Sequence, residues 1–271
     1  ELLGARRENV IIATKVFSLR AADEHCGNNS RANILHSIEF SLRRLKTDYV
    51  DLYQLHHPDA QTPIEETLST LDGLVKDGKV RYLGVTNHYA WQLAYMNGVA
   101  ALRSWEPCVS LQTCYNIIDR PIEMEMVAFC ERFNIAVMAY SPLCGGVLTG
   151  KYTRGVTPDP DSRVAQWGGN MLDVHESDQV HDILDALKQI AEETGVTINQ
   201  LAIQWLLAKP YVTTVLLGGS RPEHFTPMYD VVGRPLDSDL VERMNALAKS
   251  TVYKDFRNQP VTHGPGRRSS N

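Results

Sequence analysis

Short apolar runs rich in β-branched residues alternate along this chain with longer stretches whose apolar positions recur every three to four residues. The runs at 10–16, 50–56, 80–86, 109–115, 135–140 and 212–217 read as about six strands. Several are apolar almost throughout, as strands covered on both faces are. After Ser30 the positions Ile34, Ile38, Leu42 and Leu45 fall on one helical face. Thr62 and Pro63 followed by Glu65 predict an N-cap, a proline in the first turn and a capping box. Asp77 and Gly78 predict the end of that helix. Further helices are predicted over 123–133, 179–194, 198–208 and 237–249. The Gly-, Pro-, Asp- and Ser-rich stretch 151–177 predicts a long loop of the kind that forms lids, and the polar residues 252–271 predict a loose tail. Strands alternating with helices predict an α/β fold with a parallel sheet, and no composition break marks a linker, so 1–251 reads as a single domain.

Composition narrows the function class. Hydrophobic residues at 43% and charged residues at 22% are ordinary for a globular domain, which excludes disordered and fibrous classes. A net charge of −5, with basic residues adjoining only in pairs such as Arg43-Arg44 and Arg267-Arg268, argues against nucleic acid as a partner. Cys26, Cys108, Cys114, Cys130 and Cys144 form no CxxC pair, so neither a zinc site nor a disulfide framework is predicted, and free thiols suggest a cytoplasmic setting. No apolar run approaches the roughly eighteen residues of a membrane span, and residues 1–9 lack the apolar stretch of a secretory signal.

The candidate chemistry lies at strand ends. Lys15 and His56, 41 residues apart, close the runs VIIATKV and VDLYQLHHPD, and in a parallel barrel such ends converge on the active site. A cation and an imidazole there suggest proton chemistry. Strand alternation places Tyr53 on the face opposite His56, toward the helices, whereas Tyr89 follows the strand end at Asn87. His57 reads as a loop hydrogen-bonding residue.

Five motifs in order carry a resemblance: DLYQLHHPD, GKVRYLGVTN, SLQTCYN, YSPLCGGVLTGKY and VLLGGSRPE. They resemble the aldo-keto reductases, in particular the branch of aryl-alcohol dehydrogenases and potassium-channel β-subunits. The resemblance implies a (β/α)8 TIM-type barrel that binds NADP(H) without a Rossmann domain. It also makes the Lys15 strand the third of eight, so the first two strand–helix units are expected to be missing. The chain would then be an N-terminally shortened copy, or its gap would be closed by another chain, by the tail or by rearrangement; an open barrel favours a homo-oligomer. His56 matches the family histidine that orients the carbonyl, and Lys15 the lysine that lowers the pKa of the catalytic tyrosine. The family's aspartate and tyrosine have no match in this sequence.

The same resemblance assigns cofactor residues. Thr86, Asn87 and Gln112 match the groups that hold the carboxamide, and Tyr140 the aromatic that stacks on the nicotinamide. Ser141, Leu143 and Gly145 match the turn around the pyrophosphate, and Lys151 offers a charge to the phosphates. At the adenine end the corresponding positions are Gly218, Ser220, His224 and Met228, with Arg221 one residue beyond the usual arginine. Weaker binding or less NADP preference is therefore expected, with NAD(H) as the alternative. Three functions follow: reduction of an aldehyde or ketone, or the reverse alcohol oxidation; a reductase-like binding or assembly subunit; and hydride-independent chemistry on the same scaffold.

Overall fold

The structure is a computed structural model that describes residues 4–16, 27–167, 169–219 and 221–248, and every statement below refers to these. The tail at 252–271, Cys26 and Ser220 lie outside them. Six strands alternate with helices in chain order and every described strand pair is parallel, the repeat from which a (β/α)8 barrel is built. The described cysteines Cys108, Cys114, Cys130 and Cys144 are free thiols. The chain divides into two compact units, with the first running to Gln112 and including 132–135.

In the first unit β1 (Ala13–Val16), β2 (Val50–Leu55), β3 (Val80–Thr86) and, up to Gln112, β4 (Cys108–Cys114) pair in sequence order. Three helices connect them: α1 (Arg31–Leu45), α2 (Ile64–Lys76) and α3 (Ala90–Arg103). α1 forms as its pattern predicts: Ser30 caps it by accepting from the Asn33 N–H at 3.4 Å, and Ile34, Ile38 and Leu42 are buried. The cap predicted for α2 is different in the structure. Pro63 takes the N-cap position without a side-chain bond, because the Thr62 hydroxyl donates to Asp59 at 2.6 Å instead. α2 buries Leu68, Leu71 and Leu74 and ends at Asp77 and a left-handed Gly78, as expected.

The sequence pattern did not predict α3. Its segment, AWQLAYMNGVAALR, buries Leu93, Met96 and Ala100 but also exposes Trp91, Tyr95 and Leu102 and carries Gly98 in its interior. Apolar residues on both faces erase the amphipathic signal from which helices are read.

The second unit contains α4 (Met126–Phe133) up to Glu131, β5 (Ala136–Tyr140) and the elements that follow. A 3-10 turn over Pro121–Glu123 takes the start of the helix predicted at 123–133. The stretch 151–177, expected as loop, carries α5 (Arg163–Trp167) and α6 (Gly169–Glu176). Both are too short to show in the periodicity. α7 (Asp178–Thr194) and α8 (Ile198–Leu207) follow; Ser177 caps the first, and a Thr197–Gln200 capping box starts the second. β6 (Val212–Val215) pairs with β5, and α9 (Thr226–Tyr229) and α10 (Ser238–Leu247) complete the unit.

A partly buried polar network secures the end of α10. Arg120 donates to the carbonyls of Asn245 at 2.8 Å and Ala248 at 2.7 Å, placing a cation where the helix leaves its carbonyls unsatisfied. It also pairs with Glu123 at 2.8 Å, which accepts the Tyr115 hydroxyl at 2.5 Å. Burial alone would raise the Glu123 pKa; the bonds from Arg120 and Tyr115 outweigh it and hold the carboxyl below its usual range.

Candidate active site

Strand register assembles the predicted residues of the first unit. Lys15 lies opposite Gln54, Gln54 opposite Gly84, and Gly84 opposite Ser110, which makes one row across four strands. Two residues further on each strand, His56 follows β2 while Thr86 lies opposite Gln112. Alternation therefore puts Lys15, His56, Thr86 and Gln112 on one sheet face. Tyr53 is on the other face, as predicted: its hydroxyl donates to the Ile34 carbonyl of α1 at 3.4 Å. Gly84 is what lets the row pack, since a Cβ there would lie 2.2 Å from Ser110 Oγ and 3.3 Å from Gln54 Cγ.

The polar groups on this face are tied together. The Thr86 hydroxyl donates to Gln112 Oε1 at 3.4 Å, and both residues are buried. Asn87 adopts a left-handed φ of 60°, which asparagine tolerates better than most residues. Its N–H donates to the Gln112 carbonyl at 3.0 Å, and its Nδ2 to the His56 carbonyl at 3.3 Å. Lys15 is partly buried, and desolvation lowers its pKa. Tyr89 holds the N-cap position of α3, its N–H donating to Gln92 Oε1 at 2.9 Å.

Two further histidines belong to this neighbourhood. His57 stacks on His56 with ring centroids 4.5 Å apart and an interplanar angle of 21°. His88 is buried, and its Nδ1 lies 2.8 Å from the Thr86 carbonyl. Burial outweighs that bond and, together with the nearby His57, pushes the His88 pKa down to about 4, so it is neutral near pH 7. His88 stands beside the GVTN motif with no periodic context to mark it, and His57 carries only the weak signal of a residue type repeated after His56.

In the second unit the site residues occupy a turn after β5. The Tyr140 carbonyl accepts the Tyr115 N–H at 3.3 Å. Ser141 follows with a φ of 54°, and its carbonyl accepts both Asn116 Nδ2 at 3.0 Å and the Cys144 N–H at 2.9 Å. Asn116 is fully buried, and its Oδ1 takes the N–H groups of Ile118 at 3.0 Å and Asp119 at 2.9 Å. It belongs to the SLQTCYN motif, but its role as the holder of Ser141 was not predicted.

The turn continues through Gly145 and Gly146, with φ values of 63° and 99°, conformations that favour glycine. Leu143 packs on the apolar cluster of Ile203, Met228 and Val231. The exposed Lys151 reaches back over the turn: its Nζ lies 3.5 Å from where a Cβ on Gly146 would be, and it makes no ion pair among the described residues. Beyond β6, Gly218 has open space around it, and Arg221 and His224 are exposed. Close packing falls on Gly219 instead, where a Cβ would come within 2.9 Å of His224 Cβ and the Phe225 ring.

Residues 1–249 match the sequence model of the Aldo/keto reductase family. The chain belongs to that family. It is an aldo/keto reductase-family oxidoreductase, similar to an "Uncharacterized oxidoreductase YrpG" of Bacillus subtilis, 31% identical over 90% of this chain and 73% of the relative. It is also similar to "Aldo-keto reductase YhdN" of the same organism, 30% identical over 91% and 72%. A "Probable voltage-gated potassium channel subunit beta" of Arabidopsis thaliana is 37% identical over 81% of this chain and 67% of its own length. Among the described residues no helix is long and apolar enough to cross a membrane, and no group of three His, Cys, Asp or Glu could hold a metal.

Proposed function

We propose that this aldo/keto reductase-family chain reduces an aldehyde or ketone with NADP(H), or runs the reverse alcohol oxidation. The observation that carries the reading is the register that brings Lys15, His56, Thr86 and Gln112 to one face of the first unit. The donor set fits the cofactor. Thr86, Asn87 and Gln112 offer a hydroxyl and two amides to a carboxamide, and Gln112 Nε2 makes no hydrogen bond among the described residues. In the second unit the Gly145-Gly146 turn under the Lys151 amine suits a phosphate chain. Tyr140 offers a ring to the nicotinamide, and Ser141 and Leu143 shape the turn.

When bound, the dinucleotide supplies the hydride, and one proton completes the alcohol. His56 donates a hydrogen bond to the carbonyl oxygen and orients it. The Lys15 ammonium stabilises negative charge developing on that oxygen, with an effect strengthened by partial burial. No residue of this chain is assigned as the proton donor. Arg221, exposed and without an ion pair among the described residues, is available to a 2′-phosphate, while buried Met228 offers the adenosine end no hydrogen bond.

Quenching of NADPH fluorescence and carbonyl-dependent NADPH oxidation test the reading, with NADH in parallel. Binding with turnover that His56→Ala abolishes supports it, and no binding at millimolar NADPH sinks it. The 37% identity to the probable channel subunit favours a second reading, in which the chain is a binding or assembly subunit. Cofactor binding without turnover, together with an oligomeric mass and a captured partner, would select that one.

A further inference from the structure

The loop that carries His56 is anchored at two carbonyls. Asn87 Nδ2 holds that of His56 at 3.3 Å, and Asn29 Nδ2 holds that of His57 at 3.0 Å. Asn29 is buried at 3% exposure and is itself fixed: its N–H donates to Asp59 Oδ2 at 2.8 Å, and its carbonyl accepts the Thr67 hydroxyl at 2.8 Å. Asp59 also accepts the Thr62 hydroxyl at 2.6 Å and the Gln61 N–H at 2.8 Å, so one carboxylate closes the loop and ties it to the segment before α1. Burial alone would raise the Asp59 pKa; these donors outweigh it and keep the group ionised at neutral pH. This is also why Thr62 does not cap α2.

The anchored backbone acts on a ring. The His57 imidazole lies nearly parallel to that of His56 at 4.5 Å, so a fixed His57 presents a fixed surface against which His56 packs. Side chains that must meet a reacting atom are held most accurately when neighbouring groups lock their rotamers.

We propose that His57, Asn29 and Asp59 are positioning residues for His56: His57 through the ring stack, Asn29 and Asp59 by fixing the His57 backbone. The proposal rests on the reading of His56 as the group that orients the carbonyl, but one arm of its test does not. In that arm the His56 ring resonances are followed by NMR at fixed pH and assigned by their loss in His56→Ala. His57→Ala and Asn29→Leu are expected to shift them while the rest of the spectrum shows a folded chain, and His57→Phe, which keeps a flat ring, is expected to leave them nearly in place.

In the kinetic arm, His57→Ala and Asn29→Leu lower kcat by about tenfold with NADPH affinity within about twofold of the parent, the size expected of a small misplacement. His57→Phe recovers most of the loss. Asp59→Asn, which weakens acceptance at one oxygen, falls between. Unchanged His56 resonances and kcat in folded His57→Ala and Asn29→Leu would overturn the proposal. So would a His57→Phe variant as impaired as His57→Ala, because it would show that the imidazole chemistry of His57 and not its stack is needed. If the parent protein oxidises no NADPH with carbonyls, the reductase reading fails and the resonances alone decide the positioning claim.

Discussion

The two units present their site residues in opposite ways. In the first, the residues stand on strands, and period-two alternation plus parallel register are enough to collect Lys15, His56, Thr86 and Gln112. In the second, the residues from Ser141 to Gly146 form a turn with left-handed conformations at Ser141, Cys144, Gly145 and Gly146, which no alternation rule supplies. That turn is held from outside by Asn116, buried 25 residues earlier in the chain. A strand-borne site is inherited from the sheet, whereas a turn-borne site depends on one or two distant hydrogen bonds. The first should tolerate loss of a single polar contact better than the second.

Asn116→Leu is the sharpest challenge to that contrast. It removes the bond to Ser141 and leaves the Ile118 and Asp119 N–H groups unsatisfied, so a loss of about 3–5 kcal/mol is expected in denaturant unfolding, with NADPH binding weakened as well. A loss below about 1 kcal/mol would show that the turn holds itself. His88 probes the first unit by pH. Its folded pKa of about 4 lies below its ordinary 6.5, so the unfolded chain binds the extra proton between these values. Stability should be full above about pH 6.5 and fall by up to about 3 kcal/mol as the pH drops to about 4. His88→Gln should flatten that slope, and thermal melts across pH 4 to 7 would reveal it.

Gly84→Ala tests how tightly the strand row is packed. A cost of about 1–3 kcal/mol is expected from the 2.2 Å approach to Ser110 Oγ, and Ser110→Gly should recover part of it in a double-mutant cycle. Full additivity would mean that the two do not meet. The smallest effect belongs to Lys151→Ala, because the lysine is exposed and screened. NADPH affinity should fall by less than about tenfold, and the difference should shrink in high salt. A salt-independent loss would instead indicate a desolvated contact.

Much of the scaffold was legible because it is local. All six strands lie within a few residues of their predicted positions, and α1 begins at its predicted cap. Where pattern and structure differ, the cause is either a long-range partner or a weak local period. Thr62 serves Asp59, whose carboxylate answers to Asn29, 30 residues away, and so the α2 cap was misplaced. α3 was missed because its exposed Trp91, Tyr95 and Leu102 blur its buried face, and the helices within 151–177 because a five- and an eight-residue helix carry too few turns to register.

What the sequence determined by itself was therefore the alternation of strands and helices, the face on which each strand residue lies, and through its motifs the aldo/keto reductase family. These are properties of neighbouring residues, and a period can be read along the chain. Tertiary structure alone decided that Asn116 holds Ser141, that Gly84 must lack a side chain, that His88 is buried and neutral, and that Asn29 anchors the backbone of His57. The Asn116, Gly84 and Asn29 contacts each need two segments some 25 to 30 residues apart to meet within hydrogen-bond or van der Waals range, and the state of His88 follows from its burial, neither of which a local pattern encodes.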